Sequence, residues 1–247
     1  MKRRDFLKTA GLASLALAFP ARALAASFAE PGSRLLAKRW AMVIDTRAMA
    51  SPGRLQTVIT ACHAWHNVPS FTGPQEVKWI WAAPYGEAFP EQALDLPPKT
   101  LADRPIPLLC NHCENPPCVR VCPTGATFKR ADGIVAMDYH RCIGCRSCMS
   151  GCPYGARSFN FTDPQPYVDA PNMEYPMRTR GVVEKCTFCP ERLALGQEPY
   201  CVAASGGALV FGDLLDPEDP LRRMLAARPS WQRKAHLGTG PAVFYVL

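Results

Sequence analysis

Apolar positions along the chain fall into short runs broken by proline and glycine. Residues 39–45, Arg-Trp-Ala-Met-Val-Ile-Asp, are rich in β-branched and aromatic side chains and predict a strand. Ser51-Pro52-Gly53 then turns the chain. Residues 55–65 carry apolar side chains at Leu55, Val58, Ile59, Cys62 and Trp65, which is helical spacing. Residues 76–81 read as a short strand, and proline-rich residues 84–107 as surface loop. Asp132-Gly133 sits between the apolar runs 127–129 and 134–137 and predicts a hairpin. Strands are expected at 156–161, 181–185, 209–211 and 242–246. One helical turn is expected at 191–195, ended by Gly196, and a helix with proline in its first turn at 220–227. Residues 163–180 form a proline-rich insertion with no evident chemistry, and Gly206-Gly207 reads as a turn.

Between these elements lie two dense cysteine runs. One is Cys110-x2-Cys113-x4-Cys118-x3-Cys122-Pro123, the other Cys142-x2-Cys145-x2-Cys148-x3-Cys152-Pro153. The second has the spacing of a bacterial [4Fe–4S] run, and the first has it with two residues inserted. Three close cysteines wrap one cube. The fourth lies about one helical turn further on and reaches another cube. Cys110, Cys113 and Cys118 are therefore expected to share a cluster with Cys152, and Cys142, Cys145 and Cys148 one with Cys122. Zinc is the competing reading of paired C-x2-C, but it does not call for the full run. No C-x-x-C-H occurs, so the usual covalent haem motif is missing.

The chain has 247 residues, 25 prolines and 12 cysteines, so its loops need something besides apolar packing to hold them. Its net charge is +7. Lys2, Arg3, Arg4, Lys8 and Arg22 against Asp5 place four of those charges in residues 1–25, and the remaining +3 does not argue for nucleic acid. Residues 1–25 read as an export signal. Arg3-Arg4-Asp5-Phe6-Leu7-Lys8 is a twin-arginine region, a short apolar run of small residues follows, and Ala23-Leu24-Ala25 is a cleavage site. The apolar run is too short to span a bilayer, which takes about 20 residues. Export by this route delivers proteins already folded, which suits clusters assembled in a reducing cytoplasm better than a disulfide scaffold.

Cys62, Cys186, Cys189 and Cys201 remain, enough for a third cubane. With Cys62 as the last member of a run, the spacing puts three earlier ligands at Pro52, Leu55 and Val58. Extending Cys201 by x3 reaches Ser205. Under the sharing rule those four positions would serve one cluster, so a fourth site is expected to be erased as a unit.

These segments resemble the four-cluster iron–sulfur subunits of the polysulfide and dimethyl-sulfoxide reductase type. Within that family they are most similar to the DsrO-type subunit of the membrane complex associated with dissimilatory sulfite reduction. The resemblance is carried by Cys110-Asn-His-Cys-Glu-Asn-Pro-Pro-Cys118, Arg141-Cys-Ile-Gly-Cys-Arg146, Cys152-Pro-Tyr-Gly-Ala-Arg-Ser-Phe-Asn160, Gly181-Val-Val-Glu-Lys-Cys186 and Phe211-Gly-Asp-Leu214. The chain departs from the family at Pro52, Leu55, Val58 and Ser205. The resemblance implies a peripheral periplasmic subunit on the outer face of the cytoplasmic membrane, relaying electrons between a polytopic quinone-reactive membrane subunit and another redox subunit such as a cytochrome c.

The expected fold class is α+β: two pseudo-symmetric ferredoxin-like modules of the two-cluster bacterial type, with loop insertions. Residues 110–161 form one module. Residues 26–109 and 162–247 supply the two parts of a degenerate second module together with its insertions. Cubanes with full cysteine ligation leave no open coordination position, and no triad, paired carboxylates or phosphate loop stands out. The expected function is therefore electron transfer through three [4Fe–4S] clusters, without a substrate site of its own. Two alternatives remain open, the electron-transfer subunit of a molybdopterin oxidoreductase and a redox-sensing cluster protein. His63, His66 and His112 read as surface or hydrogen-bonding residues, with His112 able to tune a nearby cluster. Arg141, Arg146 and Arg157 are expected to offset anionic clusters, and Tyr154 and Phe159 to pack around them.

Overall fold

In a computed structural model, residues 34–92 and 104–247 are described. The expected export signal lies outside them. In chain order, β1 (Trp40–Asp45) leads through α1 (Thr46–Met49) into α2 (Arg54–Trp65). Then come β2 (Ile80–Pro84), α3 (Tyr85–Ala88), β3 (Pro105–Leu109), α4 (Pro117–Arg120), β4 (Thr127–Lys129), β5 (Val135–Met137) and α5 (Ser147–Ser150). The remainder is β6 (Ser158–Phe159), β7 (Val183–Glu184), α6 (Pro190–Leu193), α7 (Tyr200–Ala203), β8 (Leu209–Asp213), α8 (Pro220–Ala227), β9 (Ser230–Trp231) and β10 (Val243–Val246).

β1 is unbroken apolar sequence because both of its faces are covered. Trp40, Met42 and Ile44 join the main core, while Ala41 and Val43 pack with Leu221 and Met224 of α8. α8 starts where the Asp219 side chain accepts the Leu221 amide and Pro220 fills the first helical position. The sheet order is β8-β1-β10-β9, with β10 parallel to β1 and β8 antiparallel to it. The two ends of the chain thus meet in one sheet. The expected strand over 209–211 continues to Asp213. At Gly212 any Cβ would lie 2.1 Å from an Asp219 carboxylate oxygen, which requires glycine there.

Two expectations fail locally. Residues 76–79 are not a strand: Val77 and Trp79 are buried, but the Lys78 amide bonds the Ser158 hydroxyl at 2.8 Å, and pairing begins only at Ile80. The segment read as loop contains β3, which pairs antiparallel with β2. Pro105 and Pro107 hid it. Lying two residues apart, both turn their missing N–H toward the same edge, which has no strand partner among the described residues. The hairpin at Asp132-Gly133 forms as expected, with β4 paired to β5. β6 and β7 are two-residue strands, shorter than the runs that suggested them.

Candidate metal centres

All 12 cysteines lie among the described residues, and all are free thiols. They gather in three groups of four. Cys110, Cys113, Cys118 and Cys152 line one small cavity. Cys122, Cys142, Cys145 and Cys148 line a second. Cys62, Cys186, Cys189 and Cys201 are all buried, and Cys62 lies within electrostatic range of the other three. We call these groups A, B and C. Helical turns position the later members: Cys118 is in α4, Cys148 in α5, Cys201 in α7, and Cys62 is in the last turn of α2. The C-x2-C turns need left-handed backbone. It appears at His112 (φ 40°), Arg146 (φ 61°), Phe188 (φ 60°) and Cys189 (φ 50°), an uncommon conformation for residues other than glycine. At Gly144 (φ 68°) it comes with a close approach, since a Cβ would sit 2.4 Å from the Gly181 carbonyl oxygen.

Burial and mutual repulsion act against free thiolates here. Burial, with the Cys201, Cys186 and Cys189 charges behind it, pushes the Cys62 thiol well above its ordinary range. Burial pushes Cys201 up to about 12. Cys113 is also pushed up to about 12, by burial and then the charge of Cys110. A bound metal deprotonates a thiol outright, and this donor set of four soft sulfurs suits an iron–sulfur centre. Group B differs in standing at the surface. Cys145 is exposed, and hydrogen bonds from Ser147 lower its thiol.

The groups lie in the order B–A–C. Cys118 of A and Cys148 of B feel each other's charge and share the Arg157 guanidinium. Cys110 of A raises Cys186 of C. Where A meets C, the His112 ring stacks on Phe188 with centroids 3.6 Å apart, each ring coming from the middle of a C-x2-C turn.

Of the four positions of the expected erased site, Pro52 is exposed and the other three pack into the protein. Val58 is fully buried in the core and Leu55 packs against it, both on α2. The buried Ser205 hydroxyl donates to the Val202 carbonyl at 2.7 Å and accepts the Leu209 amide at 3.0 Å, so its bonding is taken up by backbone.

The sequence model of the 4Fe-4S dicluster domain family matches residues 104–176, which hold groups A and B. The chain is 42% identical over 269 residues to the Hdr-like menaquinol oxidoreductase iron–sulfur subunit 1 of Archaeoglobus fulgidus, covering 99% of this chain and 97% of the relative. It is 35% identical to the B subunit of polysulfide reductase from Wolinella succinogenes, covering 85% and 95%. It is 34% identical to the iron–sulfur cluster-binding subunit of menaquinone reductase from Nitratidesulfovibrio vulgaris, covering 84% and 88%. The chain belongs to this family of iron–sulfur subunits. Its mixed α/β architecture is accordingly a ferredoxin-like iron–sulfur fold.

Several residues around this iron–sulfur subunit's cysteines were invisible to spacing. Of the two roles expected of His66, surface or hydrogen-bonding, it takes the second and is buried. Its Nδ1 donates to the Cys62 carbonyl at 2.7 Å, and its Nε2 lies 3.6 Å from Cys189 Sγ and 3.3 Å from a Glu191 carboxylate oxygen. The insertion over 163–180 contributes to this wall after all. Arg178 pairs with fully buried Glu184 at 2.8 Å, and Tyr175 meets His66 edge-on. Trp79 stacks on His66 and donates to Glu184 at 2.9 Å. The three arginines also separate. Arg141 is exposed and pairs with Asp138, and Arg146 sits over Phe159 and Phe161. Arg157 is buried, with Nη2 donating to Cys118 Sγ at 3.1 Å. Burial would favour losing its proton, but the Cys118, Cys110 and Cys148 charges outweigh that and hold its pKa above the usual value. Lys185, which no spacing singles out, is fully buried beside Cys186.

Proposed function

We propose that the chain carries three [4Fe–4S] clusters on groups A, B and C and relays electrons through them, without a substrate site of its own. The observation that carries this is the gathering of cysteines up to 139 positions apart, Cys62 with Cys201, into groups of four free thiols among the described residues. The clusters would supply one-electron storage. The protein supplies the thiolates that fix each cluster, the buried surroundings that exclude water, and the cations beside Cys118 and Cys186. Cys145 at the surface supports electron exchange with a partner at the B end.

In the finer reading, residues 110–161 form one two-cluster module, and residues 26–109 with 162–247 form a degenerate second one. The module pair is pseudo-symmetric, and the filled positions at Val58 and Ser205 correspond to its erased fourth site. The chain works as a DsrO-type subunit, exported to the periplasm by a twin-arginine signal. It docks on a polytopic quinone-reactive membrane subunit and serves sulfur or sulfite respiration with another redox subunit such as a cytochrome c. No helix among the described residues is long and apolar enough to cross a membrane, consistent with a peripheral placement. The relatives whose names include menaquinol oxidoreductase and menaquinone reductase support a quinone-linked complex.

Anaerobic purification of the complex from its native membrane tests this. About 12 iron and 12 sulfide per chain are expected, with a polytopic subunit copurifying and the clusters reduced on adding a menaquinol analogue. Zinc in place of iron and sulfide would overturn the cluster reading. A molybdopterin subunit as the partner would replace the quinone-to-cytochrome assignment with that of a reductase subunit.

A further inference from the structure

Arg157 and Lys185 are buried cations that take part in no salt bridge among the described residues, unlike Arg178, whose charge Glu184 answers. Burying a charge without a counter-charge is strongly unfavourable, so both need an anion nearby. Each lies at a junction between cysteine groups. Arg157 donates to Cys118 Sγ of group A at 3.1 Å and to the Thr127 hydroxyl at 2.7 Å, and Cys148 of group B packs in the same buried cluster as Cys118. Lys185 Nζ donates to the carbonyl of Cys186 in group C at 2.7 Å and to that of Val135. The Val135 amide in turn bonds His112 Nδ1 at 3.1 Å, inside the first C-x2-C turn of group A. The middle group is therefore flanked on both sides, and each outer group on one.

We propose that Arg157 and Lys185 are fixed counter-charges that hold up the reduction potential of the middle centre from both sides, Arg157 acting on A and B and Lys185 on A and C. This rests on the three-cluster reading above. An added electron makes a centre more negative, and a cation held a few ångströms away in a low-dielectric interior favours that form. Both residues act by their charge alone and exchange no electrons.

The test is a potentiometric titration of the anaerobically purified complex, followed by electron paramagnetic resonance, with iron and sulfide measured on every preparation. Arg157→Gln should lower the midpoint potentials of two centres and leave the third alone. Lys185→Met should lower two, only one of them shared with the first variant. Arg157→Lys, which keeps the charge, should restore most of the loss, a rescue that a purely packing role would not give. If Lys185→Met does not assemble, the Arg157 series carries the test alone. Variants with full iron and sulfide but unmoved potentials would overturn the proposal, as would an equal shift of all three centres. Wild-type complex lacking iron and sulfide would instead sink the cluster reading beneath it.

Discussion

Ser205 shows how far one side chain was legible. Spacing marked it as the place where a fourth ligand would stand, and the structure shows a buried hydroxyl joining the Val202 carbonyl to the Leu209 amide. Ser205→Ala strands both backbone groups and should cost about 1–3 kcal/mol, read as a lower thermal midpoint at unchanged iron content. Ser205→Cys should bind no further iron, because Pro52, Leu55 and Val58 supply no companions; a gain of about four iron per chain would refute the erased site. Arg178 and Arg141 make the opposite point. In sequence both are arginines near cysteine runs, yet Arg178 and Glu184 form a pair almost fully removed from water, and Arg141 faces solvent beside Asp138. Glu184→Gln leaves the Arg178 charge unanswered and should lower stability by about 3–5 kcal/mol. Arg141→Ala should cost at most about 1 kcal/mol. Anaerobic thermal unfolding of the two variants side by side separates them. Burial decides between such residues, and burial depends on what the rest of the chain brings, which no local spacing records.

Among the elements, α2 and α7 stand apart in sequence but pack together, and Cys62 and Cys201 meet across that contact. Closing so long a loop through a metal site removes much chain entropy. Cys62→Ala should therefore lose about four iron per chain and open α2 and α7 to limited proteolysis, with cuts found by mass spectrometry. Protection equal to wild type in a variant that has lost that iron would show the contact standing on packing alone. The strands that periodicity located, β1, β8 and β10, are those whose apolar faces are buried in the central sheet. The ones it misjudged have other reasons to exist. β3 is a proline-bearing edge strand, and residues 76–79 bury Val77 and Trp79 while the Lys78 amide bonds a serine side chain. The cysteine turns have the left-handed backbone that so short a spacing requires, at His112, Gly144, Arg146 and Phe188. The His112–Phe188 stack that joins two of them was not legible, since nothing local relates residues 76 positions apart.

At the scale of the molecule, the three groups form a row that reaches the surface at group B among the described residues. Group C is enclosed, and of group A Cys110, Cys113 and Cys118 are buried and Cys152 half-buried, whereas Cys145 of group B is exposed and its neighbour Ile143 is 66% exposed. Val121, Met149 and Phe161 continue this surface beside Cys145 and Arg146. A partner that exchanges electrons with the row must exclude water from this face, and the centre of such a contact is apolar and poor in charge. Ile143→Glu places a carboxylate there. In the assembled complex it should slow cluster reduction by a menaquinol analogue on the order of tenfold, corresponding to about 1.4 kcal/mol, while iron, sulfide and midpoint potentials stay as in wild type. Met173, 92% exposed on the insertion, supplies the control: Met173→Glu adds the same charge beside Asn172, whose side chain donates to the Trp65 carbonyl at the end of α2. Stopped-flow absorbance on both variants distinguishes a specific contact from a general charge effect. Equal slowing in the two would mean that electrons enter or leave elsewhere and that the exposure of Cys145 is incidental to the row.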